Sequence, residues 1–208
     1  MKHSIASLFA VVFALGAAQN LVAQEGKSEP YDDRYCQTCH GADGVGSYGI
    51  QGPRLAGMED WYLKRQLENF RAGIRGTHPM DEQGLAMQPM AARLTDESIA
   101  DIVDWVGSWD YIPTEITITG DNVAGRQAYQ SCAACHGAQG MGNEALGAPQ
   151  LAGQNDWYLV TQLKNFKAGY RGTHPEDRYG SQMVPMAQML ADDQAIINVV
   201  SYINTLGR

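Results

Sequence analysis

The chain has 208 residues, with 23 Asp and Glu against 15 Lys and Arg, a formal charge of −8. That length bounds it to one ordinary domain or two small ones, and the acidic balance argues against a nucleic-acid-binding surface. Past the first residues, no apolar run approaches the roughly 20 residues that a membrane-crossing helix needs.

In chain order, the first segment reads as a secretory signal. Lys2 gives a positive start, Ile5 to Ala18 an apolar core, and Ala18 or Ala23 a small residue at the cut. Cleavage is expected after Ala23, so residues 1–23 are read as a signal peptide and the mature chain as exported to the periplasm and soluble, with membrane association left open. No cysteine lies near the cut for lipid attachment. The segment carries one charge, Lys2, so its removal takes the formal charge from −8 to −9. Such acidity suits a partner with a basic docking surface.

The remainder is one unit written twice. Cys36 recurs as Cys132, His40 as His136, Trp61 as Trp157, His78 as His174 and Met87 as Met183, each at an offset of 96. From Cys36 to Leu94 the register holds, with 33 identities in 59 aligned positions. A single repeat of this length predicts two tandem small domains, residues 24–109 and 123–208, rather than a solenoid. The joint, "DYIPTEITITGDN" at 110–122, holds Pro113, Gly120 and a β-branched run, and is read as an extended linker or a short surface strand.

Within each half the periodicity is helical. Leu63, Leu67 and Phe70 share one face, as do Leu159, Leu163 and Phe166. The last helix of the first half is expected to start at Thr95, an N-cap, with Asp96 and Glu97 in its first turn. Its stripe is Ile99, Ile102, Val103 and Val106; the second half repeats it as Ile196, Val199, Val200 and Ile203 at an offset of 97. A helix leading into the second thiol pair is expected from Val123 to Ser131. In the first half Pro30 interrupts the matching stretch. Halves of roughly 90 residues are small for an unaided core, so something else is expected to fill each one.

Cys36, Cys39 and His40, and again Cys132, Cys135 and His136, form the pattern C-x-x-C-H. A disulfide gives the histidine no role, and a thioredoxin-like pair needs a strand-to-helix setting. A structural zinc site wants four ligands, and neither half has a second cysteine pair. C-x-x-C-H is the attachment signature of c-type haem, with the thiols on the vinyl groups and the histidine as proximal iron ligand. Two copies use all four cysteines, and a haem in each half also supplies the missing core. For the sixth position only two methionine pairs repeat, Met87 with Met183 and Met90 with Met186. A thioether there raises the potential and closes the iron. His78 and His174, each in "RGTHP", are spare histidines read as surface or hydrogen-bonding residues rather than ligands. Trp61, Trp157, Arg75 and Arg171 are read equally as groups reaching the haem propionates or, for the tryptophans, as helix packing and, for the arginines, as a solvated face.

Two such units in tandem, each with "CHGAxGxG", "PxLAG", "WYLxxQLxxFxAG" and a late methionine loop before an "LxD" helix, resemble the dihaem cytochrome c4 family over nearly the whole mature chain. In that family the axial methionine lies seven residues before the leucine that introduces the last helix. Counted back from Leu94 and Leu190, this selects Met87 and Met183 over Met90 and Met186. The resemblance implies an all-α fold of two cytochrome c domains about an approximate twofold axis, each wrapped around one covalent haem, with propionate edges facing across the interface. It implies a periplasmic electron carrier serving a terminal oxidase, a cytochrome bc-type complex or a dehydrogenase. The competing expectation is a haem-bearing, electron-accepting subunit of a periplasmic dehydrogenase, for example in sulfur-compound oxidation. Both irons being filled on this reading, no catalytic residue is expected.

Overall fold

The computed structural model describes residues 34–207; the signal segment and Pro30 lie outside them. Among the described residues the chain is helical, and the only β-type pairings are two isolated bridges, Ser47 with Gly52 and Asn143 with Ala148. The first half contains α1 (Arg34–His40), α2 (Asp60–Arg71), α3 (Glu82–Ala91) and α4 (Asp96–Gly107). The second contains α5 (Asn122–His136), a 3-10 turn at Glu144–Leu146, α6 (Asp156–Lys167), α7 (Gly180–Gln188) and α8 (Asp193–Ile203).

Side-chain caps set several of these starts by accepting N–H groups that the first turn leaves unpaired. Thr95 Oγ1 accepts from Ser98 N at 3.1 Å, and Asp192 Oδ1 from Ala195 N at 2.9 Å. Asp121 caps α5 through Val123 N and Ala124 N. The expected stripes face inward: Ile99, Ile102, Val103 and Val106 are buried in one cluster with Leu63, Leu67 and Phe70. Ile196, Val199, Val200 and Ile203 are buried in the other with Leu159 and Tyr129. Ile99 and Ile196 are 0% exposed, so truncating either to alanine would cost about 2–5 kcal/mol in lost transfer energy and cavity. Helix α5 runs through the thiols to His136 and crosses α8 closely. A Cβ on Gly125 would come within 2.0 Å of the Asn198 carbonyl oxygen, so the crossing requires glycine.

Two expectations need correction. The methionine segments are short helices, α3 and α7, rather than loops. Proline lacks the N–H that a helix interior uses, but Pro89 and Pro185 fall close to the ends of their helices, which stop at Ala91 and Gln188. Asp81 and Asp177 tie the entrances by accepting from Gly84 N and Gly180 N. Of the two forms expected for the joint, the strand does not form. Residues 111–120 run irregularly over the second half, held by side chains instead of a ladder. Their main anchor is Asp156, whose carboxylate accepts from Thr117 N, Thr117 Oγ1, Ile118 N, Asn204 Nδ2 and its own neighbour Trp157 N.

Candidate functional site

A helix places residues three and four apart on one face. Cys132, Cys135 and His136 therefore lie together on the last turn of α5, and Cys36, Cys39 and His40 on α1. Each helix stops at its histidine because the next residue, Gly137 or Gly41, takes a positive φ of 78° or 85°. The loop then folds back, with Gly142 N donating to the His136 carbonyl at 2.9 Å and Gly46 N to that of His40 at 2.8 Å.

The return brings a proline carbonyl onto each buried imidazole. His40 Nδ1 lies 2.6 Å from the oxygen of Pro53, and His136 Nδ1 lies 2.7 Å from that of Pro149. A carbonyl can only accept, so Nδ1 carries the hydrogen and the Nε2 lone pair is left for a metal. Burial lowers the pKa of both histidines, opposed by these hydrogen bonds, and favours the neutral, ligating form. The described cysteines form no disulfide. Burial pushes the Cys132 thiol up, which keeps it protonated.

In the second half these groups open onto a cavity of about 240 Å³ whose wall includes Cys132, Cys135, His136, Met183, Met186 and Phe166. Both methionines of α7 reach it. In the first half α3 separates the two: Met87 packs against the apolar cluster, whereas Met90 is 39% exposed. The spare histidines are engaged elsewhere. His78 Nδ1 accepts from Met80 N, His174 Nδ1 accepts from Glu176 N, and the His78 ring stacks on Tyr170 at 4.7 Å. Trp157 is buried edge-on to Tyr48, and Trp61 lies against Tyr62 and the Arg65 guanidinium.

Between the halves the contacts are reciprocal, as an approximate twofold demands. Arg75 Nη2 donates to Tyr158 Oη, and Arg171 Nη2 to Tyr62 Oη, each at 3.1 Å. Gln66 Oε1 accepts from Arg75 at 2.6 Å and from Arg171 at 3.0 Å. Gln162 Oε1 accepts from Arg171 at 2.6 Å and from Arg75 at 3.2 Å. The four residues make a closed ring in which every link but two crosses the interface. Arg54 N donates to Asn155 Oδ1, and its counterpart Gln150 N donates to Glu59 Oε1.

Both guanidiniums are buried, and none of the ion pairs among the described residues includes either one. Arg75 Nε and Arg171 Nε have no hydrogen-bond partner. A buried cation with an unused donor calls for an anionic acceptor. For Arg171 burial lowers the pKa, but the neighbouring Tyr62 and Tyr158 hydroxyls outweigh it and hold the group firmly protonated. Arg171, Gln162 and, from the other half, Tyr62, Arg65 and Gln66 stand on the wall of the second cavity. An apolar cavity with two thiols and a tautomer-fixed histidine, and with the buried Arg171 guanidinium on its wall, fits a haem, whose carboxylates that arginine would hold.

Sequence reasoning missed the crossing partners Tyr62, Gln66, Tyr158 and Gln162, and the anchor Asp156. The signal lay in the repeat itself, since all five recur at the 96-residue offset, but so do plain packing residues.

A cytochrome c family model matches residues 23–110 and again 123–207. The thiosulfate dehydrogenase electron acceptor of Stutzerimonas stutzeri is 34% identical over 186 residues, covering 83% of this chain and 79% of its own. Cytochrome c4 of the same organism is 33% identical over 146 residues, covering 65% of this chain and 69% of its own. Among solved structures, reduced recombinant cytochrome c4 from Pseudomonas stutzeri superposes with a TM-score of 0.64 at 28% identity, over 83% of this chain and 93% of that one.

Proposed function

The chain belongs to the cytochrome c family as a dihaem electron-transfer cytochrome of the c4 type, and we propose that it passes single electrons between periplasmic redox partners. It binds two haem c groups covalently, one per tandem domain, and these supply the one-electron Fe(III)/Fe(II) couple. The proposal takes residues 24–109 and 123–208 as the two haem domains, joined by 110–122 and exported by the segment 1–23.

On this reading the thiols of Cys36 and Cys39, and of Cys132 and Cys135, hold the two haems. Each thiol would hold the haem through one thioether bond to a former vinyl group. His40 and His136 would present Nε2 to the irons, held in orientation by Pro53 and Pro149. Met87 and Met183 would close the sixth positions. Held by these four residues, neither iron would have room for a substrate. Electron exchange then changes charge and little else, and the neutral histidines and thioethers have no proton to move. Arg75 and Arg171 would neutralise propionates at the shared edge.

One observation carries the proposal: the two C-x-x-C-H units are joined across a single buried ring of two arginines and two glutamines, to which each half contributes one of each. That supports an intramolecular relay leading to an oxidase or another respiratory acceptor. A second reading has its own support. A relative described as a thiosulfate dehydrogenase electron acceptor is 34% identical over 83% of this chain, so service to a periplasmic dehydrogenase is the alternative. Size-exclusion chromatography of native extract, followed by haem absorbance, separates the two. A free carrier elutes at its own mass and is reoxidised by respiring membranes. A fixed subunit elutes with its dehydrogenase.

A further inference from the structure

The two haem sites repeat each other in thiols, histidines, methionines, arginine ring and capping aspartates, yet the wall of the second cavity carries a charge the repeat does not explain. Arg65 belongs to α2 of the first half, and its counterpart at the 96-residue offset is Thr161, which is neutral. Its Nη2 crosses the interface to donate to the Gly147 carbonyl at 2.7 Å. The guanidinium lies 4.3 Å from the ring centre of Tyr179 and packs on Trp61 and Tyr62. Gly147, Tyr179 and Arg65 all stand on the wall of the cavity that holds His136 and Met183. The fit is close: a Cβ on Gly147 would meet Tyr179 at 2.2 Å and Arg65 Nη1 at 2.8 Å. The charge is thus fixed in place, half-buried and away from full solvent screening.

The other charges on that wall cancel between the halves. Arg171 and Asp177 are matched by Arg75 and Asp81 in the first half. Arg54, Glu59 and Arg178 also differ from their counterparts, Gln150, Asn155 and Glu82, but none of the three lines the cavity. Arg65 is therefore the wall's one charge without a partner in the repeat.

We propose that Arg65, carried by the first domain, is a redox-tuning residue of the second haem, raising its reduction potential without acting on the first. This rests on the dihaem reading above. Ferrous haem carries one positive charge fewer than ferric, so a nearby fixed cation favours the reduced form, and more strongly where the dielectric is low. The arrangement makes one domain's sequence set the other domain's potential, which gives a tandem carrier a way to separate two otherwise matched sites.

The test is a potentiometric titration of the full-length holoprotein as wild type, Arg65→Gln and Arg65→Lys. Each is repeated in a Met183→His background, which displaces the second haem's potential and so marks it. Arg65→Gln is expected to lower the second haem's midpoint and leave the first where it was, while Arg65→Lys, which keeps the charge, stays near wild type. The proposal is overturned if Arg65→Gln moves neither midpoint or both equally, or if the lysine variant falls as far as the glutamine one. Pyridine haemochrome counts two haems per chain in every variant on this account. A wild type with fewer would overturn the dihaem reading itself, a result distinct from unmoved midpoints in a protein holding two.

Discussion

Replacing Asp156 by asparagine tests the joint between the domains. The aspartate is 1% exposed and its carboxylate accepts five hydrogen bonds between 2.6 and 3.0 Å. Oδ2 takes Thr117 N, Ile118 N and Asn204 Nδ2; Oδ1 takes Thr117 Oγ1 and Trp157 N. Asparagine must put its NH₂ where one oxygen stood. The less damaging choice is the Oδ1 side, where the Thr117 hydroxyl can turn to accept but Trp157 N–H is left without a partner. That orphan costs about 1–3 kcal/mol, and three bonds fall from charge-assisted to neutral strength at about 0.5 kcal/mol each. The sum is about 3 kcal/mol, or a fall in Tm of about 6–12 °C for a chain of this size. Thermal melts of the holoprotein at 222 nm read it directly. A shift below about 2 °C would refute the reasoning. The pH dependence has a fixed sign. Burial would raise the Asp156 pKa, but the bonds from Thr117, Ile118 and Asn204 prevail and hold it below the ordinary range. The folded state therefore binds this proton less tightly than the unfolded chain does. Its contribution is complete above the unfolded pKa near 4 and is lost as pH falls through the folded value, so wild type and variant should converge in strong acid.

Three further perturbations probe other parts of the account. Gly125→Ala should destabilise by about 1–3 kcal/mol despite alanine's better helix propensity, because its Cβ would lie 2.0 Å from the Asn198 carbonyl oxygen; a raised Tm would contradict it. Gln66→Leu leaves Arg75 Nη1 without its partner and takes Gln66 from Arg171 Nη2, at a cost of about 2–4 kcal/mol. Amide exchange should quicken in α6 as well as α2, and an unaffected α6 would count against the shared ring. Met87→His should lower one haem's midpoint in a redox titration while Met90→Leu leaves both; an unmoved midpoint in Met87→His would remove Met87 as ligand.

What could be read before the fold was known follows from the range of the interactions. The C-x-x-C-H sites and the buried stripes are local patterns, with ligands and core positions spaced by helical periods, and they needed no partner to be recognised. The repeat gave two domains because its register does not slip between Cys36 and Leu94. The methionine segments were expected as loops from the family resemblance, and the internal prolines Pro89 and Pro185 give no local signal of the short helices that form there. Tyr62, Gln66, Tyr158 and Gln162 gain their roles from residues roughly 80–110 positions away, and no local pattern distinguishes them from helix filler. Asp156 shows the same limit. Its counterpart Asp60 is exposed, and only the linker packed on one copy makes the difference.

The most direct test of the central claim is an optical spectrum of the purified protein, oxidised, then reduced, then reduced under carbon monoxide. Two low-spin c-type haems, a far-red methionine–Fe(III) band and no response to carbon monoxide are the predicted result: both irons closed by His and Met and fit only to pass electrons. A high-spin component, or a spectrum that shifts under carbon monoxide, would show an open iron and contradict the account.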